Sequence, residues 1–325
     1  MKTTCAHPVS MWELIGKKKA NGKAVILQNI PPPGVPALLL YRDCGHCSGC
    51  TVRRRMDLAL RLKHEAYYYE HVWFVTLTYD DENLPEHGSL RADDMTLFVN
   101  KLRQQKLHRN KVKIRYFGVG EYGGTMGRAH YHMILFGPEL ADKELHYSKP
   151  DTRYHSPEFI QLMGKRPSFD YYKSETLLKA WDNKGHVQLT GVSTATMQYV
   201  SKFHIEKVSG YLAKYHYEVI DEHGEPHAVE SENARISRNP GIGRRWIEEF
   251  WQDVYPKGYI TIEGKKVKPP AYYDRWLEQN HPDIYTELKE RRQASIDLEM
   301  HLDDRRNAVD ACRNAQINLN KEKER

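Results

Sequence analysis

The chain has 325 residues, of which 40% are hydrophobic and 28% charged, a composition that fits a globular protein with one large domain or two medium ones. No apolar run approaches the roughly 20 residues of a membrane span, and the N-terminus lacks a secretory-signal pattern, so we predict no membrane partner. Lys and Arg number 49 against 43 Asp and Glu, and the basic residues cluster. With 21 Tyr and 6 Trp, this favours a nucleic-acid partner, although a solvated face explains most single charges.

The N-terminal part contains a cysteine motif. Residues 1–40 are predicted to be irregular, and Cys44, Cys47 and Cys50 then follow at CxxC spacing, with Cys5 as a distant fourth candidate. Without a secretory signal, this spacing indicates a metal rather than disulfides, and the intervening glycines let the backbone turn around a tetrahedral Zn²⁺. Structural zinc, an iron–sulfur cluster and free thiols all stay open as interpretations.

Three elements follow the cysteines. Residues 51–70 have apolar side chains at helical spacing, and Arg53 and Arg54 make this helix either a solvated amphipathic one or a phosphate contact. Residues 72–79 are β-branched and aromatic, which predicts a central strand. Residues 91–108 carry one apolar stripe and predict a helix that packs on this sheet.

A His-x-His motif lies in the stretch 127–137. An extended strand alternates its side chains, so His130 and His132 project from one face while Tyr131 points away. Residues 133–136 are apolar and continue the strand inward. The two imidazoles are either ordinary surface histidines or a bidentate site for a divalent metal.

The preceding segment adds a carboxylate to this motif. Residues 112–121 read as a strand, and the glycine-rich turn after them predicts an antiparallel hairpin. If Glu121 lies opposite His130, its carboxylate shares a face with both imidazoles. Such a mixed nitrogen and oxygen set suits Mn²⁺ or Mg²⁺ better than a closed structural zinc.

A tyrosine and a lysine share one side of a later helix. Residues 141–184 are polar and Tyr-rich and are predicted as an insertion, and 185–191 as a strand. Ser193 or Thr194 then caps a helix that carries Tyr199 and Lys202. The lysine would favour the phenolate or stabilise charge on a phosphate, whereas a half-buried structural tyrosine is the alternative.

The C-terminal third contains a glycine-rich loop among arginines. Arg238, Arg244 and Arg245 surround residues 239–243, where glycine permits close approach of the backbone to a phosphate. Residues 222–225 and 259–267 predict hairpins, and 272–280 a helix. From residue 284 the chain is charge-rich and predicts one long helix or a frayed tail.

Taken in order, these pieces resemble the replication initiation proteins of small single-stranded DNA phages, specifically the gokushovirus branch of the Microviridae within the His-hydrophobe-His (HUH) rolling-circle endonucleases. The resemblance covers roughly residues 1–255 and is carried by the Cys44-x-x-Cys47-x-x-Cys50 knuckle, the strand and two aspartates of residues 74–81, Gly120-Glu121, His130-Tyr131-His132, Tyr199-x-x-Lys202 with Lys207, and residues 237–243. Related microviruses carry a second tyrosine four residues after the first, whereas this chain has Phe203 there, so Tyr211 and Tyr215 are candidates for a second nucleophile.

The predicted architecture is α+β: a central antiparallel sheet of about five strands with flanking helices, of HUH Rep type. We predict a Cys-rich module at 1–55, the endonuclease domain at 56–255 with 141–184 inserted, and a C-terminal hairpin and charged helical tail at 256–325.

The resemblance implies a rolling-circle initiator that nicks origin DNA with Tyr199, assisted by Lys202, and leaves a 5′-phosphotyrosine and a free 3′-OH before rejoining the strand. It implies Mg or Mn at His130, His132 and Glu121. The residues expected to contact single-stranded origin DNA are Lys207, Arg238, Arg244, Arg245, Arg53 and Arg54. Because the chain has no GxxxxGK[ST] motif, host helicase and polymerase would act with it in the host bacterial cytoplasm. A non-catalytic DNA-binding protein and a water-using metal-dependent nuclease are the alternatives.

Overall fold

The computed structural model describes residues 5, 7–20, 22, 24–110, 113–123, 127–150, 168–203, 211, 213–262, 264–294, 307–309, 311–312 and 314–315. The strands are β1 (Val9–Lys18), β2 (Ala24–Leu27), β3 (Ala37–Arg42), β4 (Val72–Tyr79), β5 (Arg115–Tyr122), β6 (Ala129–Phe136), β7 (Glu144–Pro150), β8 (Ser168–Lys173), β9 (Gly185–Gly191), β10 (Glu218–Ile220), β11 (Pro226–Ala228), β12 (Asn233–Ile236), β13 (Ile260–Ile262) and β14 (Lys265–Val267). The helices are α1 (Ser48–Ala66), α2 (Ala92–Asn110), α3 (Glu175–Ala180), α4 (Thr194–Phe203), α5 (Ala213–His216), α6 (Arg244–Val254), α7 (Ala271–Asn280) and α8 (Pro282–Ala294). None of the helices in these ranges is both long and apolar enough to span a bilayer.

The chain forms two compact units, Met1–Arg54 together with Asp274–Arg325, and Arg55–Tyr273. The predicted division at residues 55 and 255 stays a prediction. The predicted hairpins at 222–225 and 259–267 are confirmed as β10–β11 and β13–β14. The helix predicted from Ser193 or Thr194 to residue 208 is described from Thr194 to Phe203, and its continuation lies outside the described residues.

The first unit contains a three-stranded antiparallel sheet in the order β2-β1-β3. The prediction that residues 1–40 are irregular is therefore wrong. These strands are short or largely exposed, with Leu14 the buried residue of β1, so they lack the apolar alternation that marks a half-buried strand. The pairing of Val9 with Arg42 brings the chain before β1 alongside the chain after β3.

The second unit is built on a seven-stranded antiparallel sheet in the order β12-β5-β6-β4-β9-β8-β7. The α+β class is confirmed, but the sheet has seven strands rather than about five. Two of the additional strands, β7 and β8, come from the polar stretch that sequence analysis reads as an insertion. Every residue of β7 is exposed, so the hydrophobic pattern that reveals a strand is absent there.

The central strands present two different faces. One, here called the covered face, carries Val75, Leu77, Tyr131, Met133 and Leu135, and packs against buried side chains of α2 and α3. These helix residues are Met95, Phe98, Val99, Leu102, Leu177 and Ala180. The covered face thus holds the larger hydrophobic core of the unit, as the predicted stripe on residues 91–108 requires.

The opposite side, here called the site face, alternates with the covered face along the same strands. Phe117, Ile134 and Phe136 form a second core with buried residues of α1 and α4. The helix residues are Leu58, Ala59, Leu62, Met197 and Val200. Further along the same strands, this face changes from apolar to ionisable side chains.

Candidate active site

The ionisable group on the site face consists of one carboxylate and two imidazoles. In the β5–β6 pair, Glu121 lies opposite His130 and Val119 opposite His132, so the predicted register is confirmed. Residues directly opposite share a face, and so do residues two apart on one strand. Glu121 and His132 are buried, and His130 is partly buried.

All three side chains converge on one point. Glu121 Oε1 lies 2.8 Å from His130 Nε2 and 3.0 Å from His132 Nε2. The other nitrogen of each ring is also engaged: His130 Nδ1 lies 3.0 Å from the Arg128 carbonyl oxygen, and His132 Nδ1 lies 3.0 Å from Thr76 Oγ1. Since a carbonyl only accepts, His130 Nδ1 carries a proton, and the neutral ring presents its Nε2 lone pair to Glu121.

Burial is the largest influence on the pKa of each group. For Glu121, burial raises the pKa, but hydrogen bonds from His130 and His132 outweigh it and hold the pKa below its usual value. For His130, burial lowers the pKa, but Glu121 and the Arg128 carbonyl raise it overall. For His132, burial prevails and the pKa is lowered. The carboxylate is thus charged at neutral pH.

The cluster has the donor chemistry of a divalent-cation site. Its ligand atoms lie within 4.8 Å of one another. Glu121 Oε2 is buried, and among the described residues it has no hydrogen-bond partner, which is costly for a charged oxygen unless a cation supplies the missing interaction. One carboxylate and two imidazoles fill only part of a coordination sphere, so ligand positions stay available for water or a substrate oxygen.

A tyrosine lies next to these histidines. The ring centroid of Tyr199, on α4, is 5.4 Å from that of His132 at an interplanar angle of 71°, and 6.2 Å from that of Phe74. Tyr199 is 45% exposed, whereas Met197 and Val200 on the same helix are buried, so α4 anchors itself with its apolar residues and leaves the phenol accessible. Lys202 follows three residues later, at helical spacing for the same side.

Similar proteins were found by comparison of the sequence with known families. A family model for replication-associated proteins of the ORF2 type matches residues 72–218, which span β4 to α5 and include Glu121, His130, His132 and Tyr199. The chain is 26% identical over 250 residues to replication-associated protein VP4 of Bdellovibrio phage phiMH2K, covering 75% of this chain and 70% of that protein. The predicted resemblance to phage replication initiation proteins is confirmed.

Two further relatives agree with this. Replication-associated protein ORF2 of Spiroplasma virus 4 is 24% identical over 303 residues, 89% of this chain and 85% of that protein. Replication-associated protein ORF4 of Chlamydia phage 1 is 31% identical over 160 residues, 49% of this chain and 37% of that protein. No solved structure matches the chain.

The arginines predicted to bind DNA do not all surround the triad. The loop that follows Arg238 packs against the start of β5, where Arg115 Nη2 donates to the Pro240 carbonyl oxygen at 2.6 Å. Arg115 is six residues from Glu121 on the same strand, a separation of about 20 Å. Arg244 forms an ion pair with Glu248 at 2.5 Å. This surface is therefore separate from the triad.

The other predicted basic residues differ in their surroundings. The Arg245 guanidinium lies 4.0 Å from the centroid of the Tyr68 ring, which stabilises it as a cation–π pair. Arg53 forms an ion pair with Asp43, and Arg54 is exposed. Lys207 lies outside the described residues. The roles of these residues in DNA binding stay predictions.

The four N-terminal cysteines come together in the first unit. Cys5 precedes β1, Cys44 and Cys47 follow β3, and Cys50 lies in the first turn of α1. The four sulfur atoms lie within 4.8 Å of one another, and two Sγ–Sγ distances, Cys44 to Cys50 and Cys5 to Cys47, are 3.9 Å. With Zn–S bonds of about 2.3 Å, tetrahedral geometry separates ligand sulfurs by about 3.8 Å, so the cluster has the dimensions of a single-ion site.

Backbone groups support this arrangement. The amide nitrogens of Cys44 and Cys47 donate to the sulfurs of Cys5 and Cys44 at 3.3 and 3.4 Å. All four cysteines are free rather than disulfide-bonded. Burial raises the pKa of Cys5 to about 11 and that of Cys50 further, so without a cation these thiols stay protonated.

Sequence analysis missed one residue of the candidate active site. Thr76 contacts His132 Nδ1 from β4, opposite which it lies in register. Thr76 and Thr78 alternate with apolar residues in a strand that reads as buried throughout. Two threonines at this spacing mark a polar position on one face of such a strand, and this signal identifies Thr76 once the face is known.

Proposed function

We propose that the chain initiates rolling-circle replication by nicking origin DNA and attaching itself covalently to the cut strand. The single observation that carries this proposal is the position of Tyr199, whose ring contacts His132 within the Glu121–His130–His132 triad. A nucleophile beside a candidate cation site is what transesterification of a phosphodiester requires. The matching family and the relatives are replication-associated proteins, which supports a substrate of phage DNA.

In the proposed reaction, the Tyr199 oxygen attacks a phosphorus of single-stranded DNA. The bond from phosphorus to tyrosine oxygen forms as the bond from phosphorus to the 3′ oxygen breaks. The products are a 5′-phosphotyrosine and a free 3′-OH, to which the phenol proton is finally delivered. One bond replaces another of the same kind, so attack by the 3′-OH at a later stage rejoins the strand without ATP.

The residues around Tyr199 have distinct proposed roles. A divalent cation, Mg²⁺ or Mn²⁺, would supply charge neutralisation and orientation of the scissile phosphate at the triad. Glu121, His130 and His132 would hold that cation, and Thr76 would fix the orientation of His132. The Lys202 ammonium would favour the phenolate of Tyr199 or stabilise negative charge at phosphorus.

Two other tyrosines compete for the role of nucleophile. The hydroxyl oxygens of Tyr211 and Tyr215 lie 3.3 Å apart, and both side chains are exposed. Either would serve as a second nucleophile for strand rejoining. We assign the first cleavage to Tyr199 because its ring contacts the triad.

The test is covalent capture of DNA. The protein is incubated with Mn²⁺ and single-stranded oligonucleotides that tile the genome carrying its gene, and the products are separated on a denaturing gel. We expect a protein–DNA adduct with the wild type, loss of the adduct in Tyr199→Phe, and peptide mapping to Tyr199. Tyr211→Phe is the matched control and should retain first-strand cleavage.

Other outcomes of this assay discriminate among the alternatives. Cut DNA without an adduct would indicate a water-using nuclease. Binding without cleavage would indicate a non-catalytic DNA-binding protein. An adduct mapped to Tyr215 would contradict the residue assignment while leaving the reaction class intact.

We further propose that the cysteine cluster holds a structural zinc. The 3.9 Å Sγ–Sγ distances favour one tetrahedral ion over a [4Fe–4S] cluster, in which each thiolate binds a different iron. We expect about one zinc per chain by elemental analysis, and loss of zinc with a lowered melting temperature in Cys50→Ser. Cys312→Ser, at an exposed position, should change neither. Zinc content that survives Cys50→Ser would contradict this assignment.

The proposal implies host partners. The chain lacks a GxxxxGK[ST] motif, so the duplex ahead of the free 3′-OH would be unwound by a host helicase and extended by a host polymerase. Such an initiator would act in the host bacterial cytoplasm.

A further inference from the structure

The site face continues beyond the triad onto strands that no prediction assigned to function. The sheet order leads from β6 through β4 and β9 to β8 and β7. His132 lies opposite Thr76, which in turn lies opposite Gln188 on β9. Thr190 of β9 lies opposite Tyr171 on β8, and Tyr171 opposite Tyr147 on β7. Because directly opposite residues share a face, both tyrosines project from the same side as the histidines.

Aromatic rings form the middle of this outer surface. The rings of Tyr147 and Tyr171 stack with centroids 4.7 Å apart and an interplanar angle of 19°. Gln188 Nε2 donates to the Tyr147 hydroxyl at 2.9 Å, which ties the outer pair to the row of His132. Tyr147 is 41% exposed, so one face of this stack is accessible.

Cationic side chains surround the stacked rings. Lys149, opposite Phe169, and Lys173 belong to the same face as the two tyrosines, since each is two residues from one of them. Both lysines are exposed. Glu144, opposite Lys173, is a carboxylate on this face, whereas Asp170 belongs to the other side and accepts a hydrogen bond from Ser148 at 2.6 Å.

We propose that Tyr147, Tyr171, Lys149 and Lys173, here called the tyrosine platform, bind single-stranded DNA adjacent to the cleavage site. Stacking of bases on exposed aromatic rings together with cations for the backbone is the chemistry of single-strand recognition. This inference rests on the proposed function for its substrate. Three and four strand spacings separate β8 and β7 from β6, so the platform lies about 14–19 Å from the histidines, within reach of a strand of a few nucleotides.

The distribution of groups favours a nucleic acid over a protein partner. β7 is exposed throughout but contributes polar and aromatic residues rather than an aliphatic patch to this face. Its lysines flank the ring stack instead of pairing across it with acidic residues, apart from Glu144 at one end. The platform also joins the triad through Gln188 and Thr76 without a change of face.

The test is equilibrium binding in the full chain without added Mg²⁺ or Mn²⁺, so that affinity is measured apart from cleavage. The probe is a fluorescein-labelled oligothymidylate of roughly 20 nucleotides, longer than the site sizes common for single-strand-binding folds. Tyr147→Ala with Tyr171→Ala should weaken binding about ten- to a hundred-fold by anisotropy, because two stacking surfaces are lost. The corresponding pair of Tyr→Phe substitutions should stay close to the wild type.

Matched controls separate stacking from damage to the strand. Leu145→Ala alters β7 at a residue that is 60% exposed and belongs to the opposite face, and it should leave affinity unchanged. Lys149→Gln with Lys173→Gln, which leaves the ring stack intact, should reduce the slope of log affinity against log salt by about 1.4, as expected for two lost phosphate contacts to a single strand. Thermal unfolding of each variant verifies that the sheet is intact.

The outcomes distinguish this inference from the proposed function. Unchanged oligothymidylate affinity and salt slope in folded platform variants would overturn the platform, whatever the adduct assay shows. A wild type that forms no adduct, while the platform variants still lose single-strand affinity, would overturn the nicking proposal and leave the platform standing.

Discussion

The two faces of strand β6 carry residues of opposite character one position apart. Tyr131, on the covered face, has its hydroxyl within 2.8 Å of both the Tyr79 hydroxyl and the Arg91 amide nitrogen, and it donates to the Arg91 carbonyl oxygen at 2.9 Å. His130 and His132, on the site face, turn their Nε2 atoms to a single carboxylate oxygen. The covered face satisfies its polar atoms within the protein, whereas the site face leaves Glu121 Oε2 without a partner among the described residues.

This difference teaches how one strand serves stability and chemistry together. Alternation lets a single backbone place a closed hydrogen-bond network against α2 and an open ligand set towards solvent. A saturated network stabilises the fold but has no capacity to bind anything else. An incomplete one gives up some stability and keeps affinity for a cation.

The largest expected effect comes from the site face. His132→Ala should reduce adduct formation by at least about a thousandfold, because losing a cation ligand removes several kcal/mol of charge stabilisation in the transition state. The measurement is the initial rate of adduct formation at saturating Mn²⁺. Circular dichroism and thermal unfolding should show a folded protein. Adduct formation within tenfold of the wild type would place the catalytic cation elsewhere.

The neighbouring substitution should have the reverse effect. Tyr131→Phe should lower the free energy of unfolding by about 3 kcal/mol, because it leaves buried partners at Tyr79 and Arg91 unsatisfied. Below the melting temperature, its rate of adduct formation should equal that of the wild type. Urea denaturation gives the first quantity and the gel assay the second. If Tyr131→Phe lost activity while folded, the separation of the two faces would be contradicted.

The sequence carried different amounts of information about these regions. The alternation around His130 and the strong β pattern of residues 72–79 predict the central strands, and the glycine-rich turn predicts the register that joins Glu121 to the histidines. Such predictions succeed because burial on one face imposes a period of two. β1–β3 and β7–β8 could not be predicted in this way, because these strands are held by backbone pairing with little burial.

The functional contacts show the same limit. The CxxC spacing brought three thiols together on its own, whereas the arrival of Cys5 depends on the β1–β3 pairing that the sequence did not reveal. The approach of Tyr199 to His132 is likewise a tertiary contact, fixed by the packing of Met197 and Val200 against the sheet. Local patterns identify which residues have chemical potential, but the packing decides which of them meet.

A buried histidine outside the site sharpens the comparison further. His64, on α1, has its ring stacked on Trp246 with centroids 3.5 Å apart, and its Nδ1 lies 2.8 Å from the Tyr273 hydroxyl oxygen. Burial, with a smaller contribution from Lys63, lowers the pKa of His64 to about 3. Like His132 it is buried and has a lowered pKa, but its neighbours are aromatic rings rather than a carboxylate.

This histidine should make stability sensitive to acid. Its folded pKa lies below the unfolded value of about 6.5, so the unfolded state binds the additional proton between these limits and stability falls as the pH decreases. From pH 7 to pH 5 the loss should be about 2 kcal/mol. His64→Gln, which keeps a hydrogen-bonding group for Tyr273 but cannot titrate, should flatten the urea-derived stability profile over this range. His223→Gln, at an exposed turn, should leave the profile as it is. An unchanged slope in His64→Gln would show that burial alone does not keep this imidazole neutral, and that the neutral state of His132 then needs an explanation other than burial.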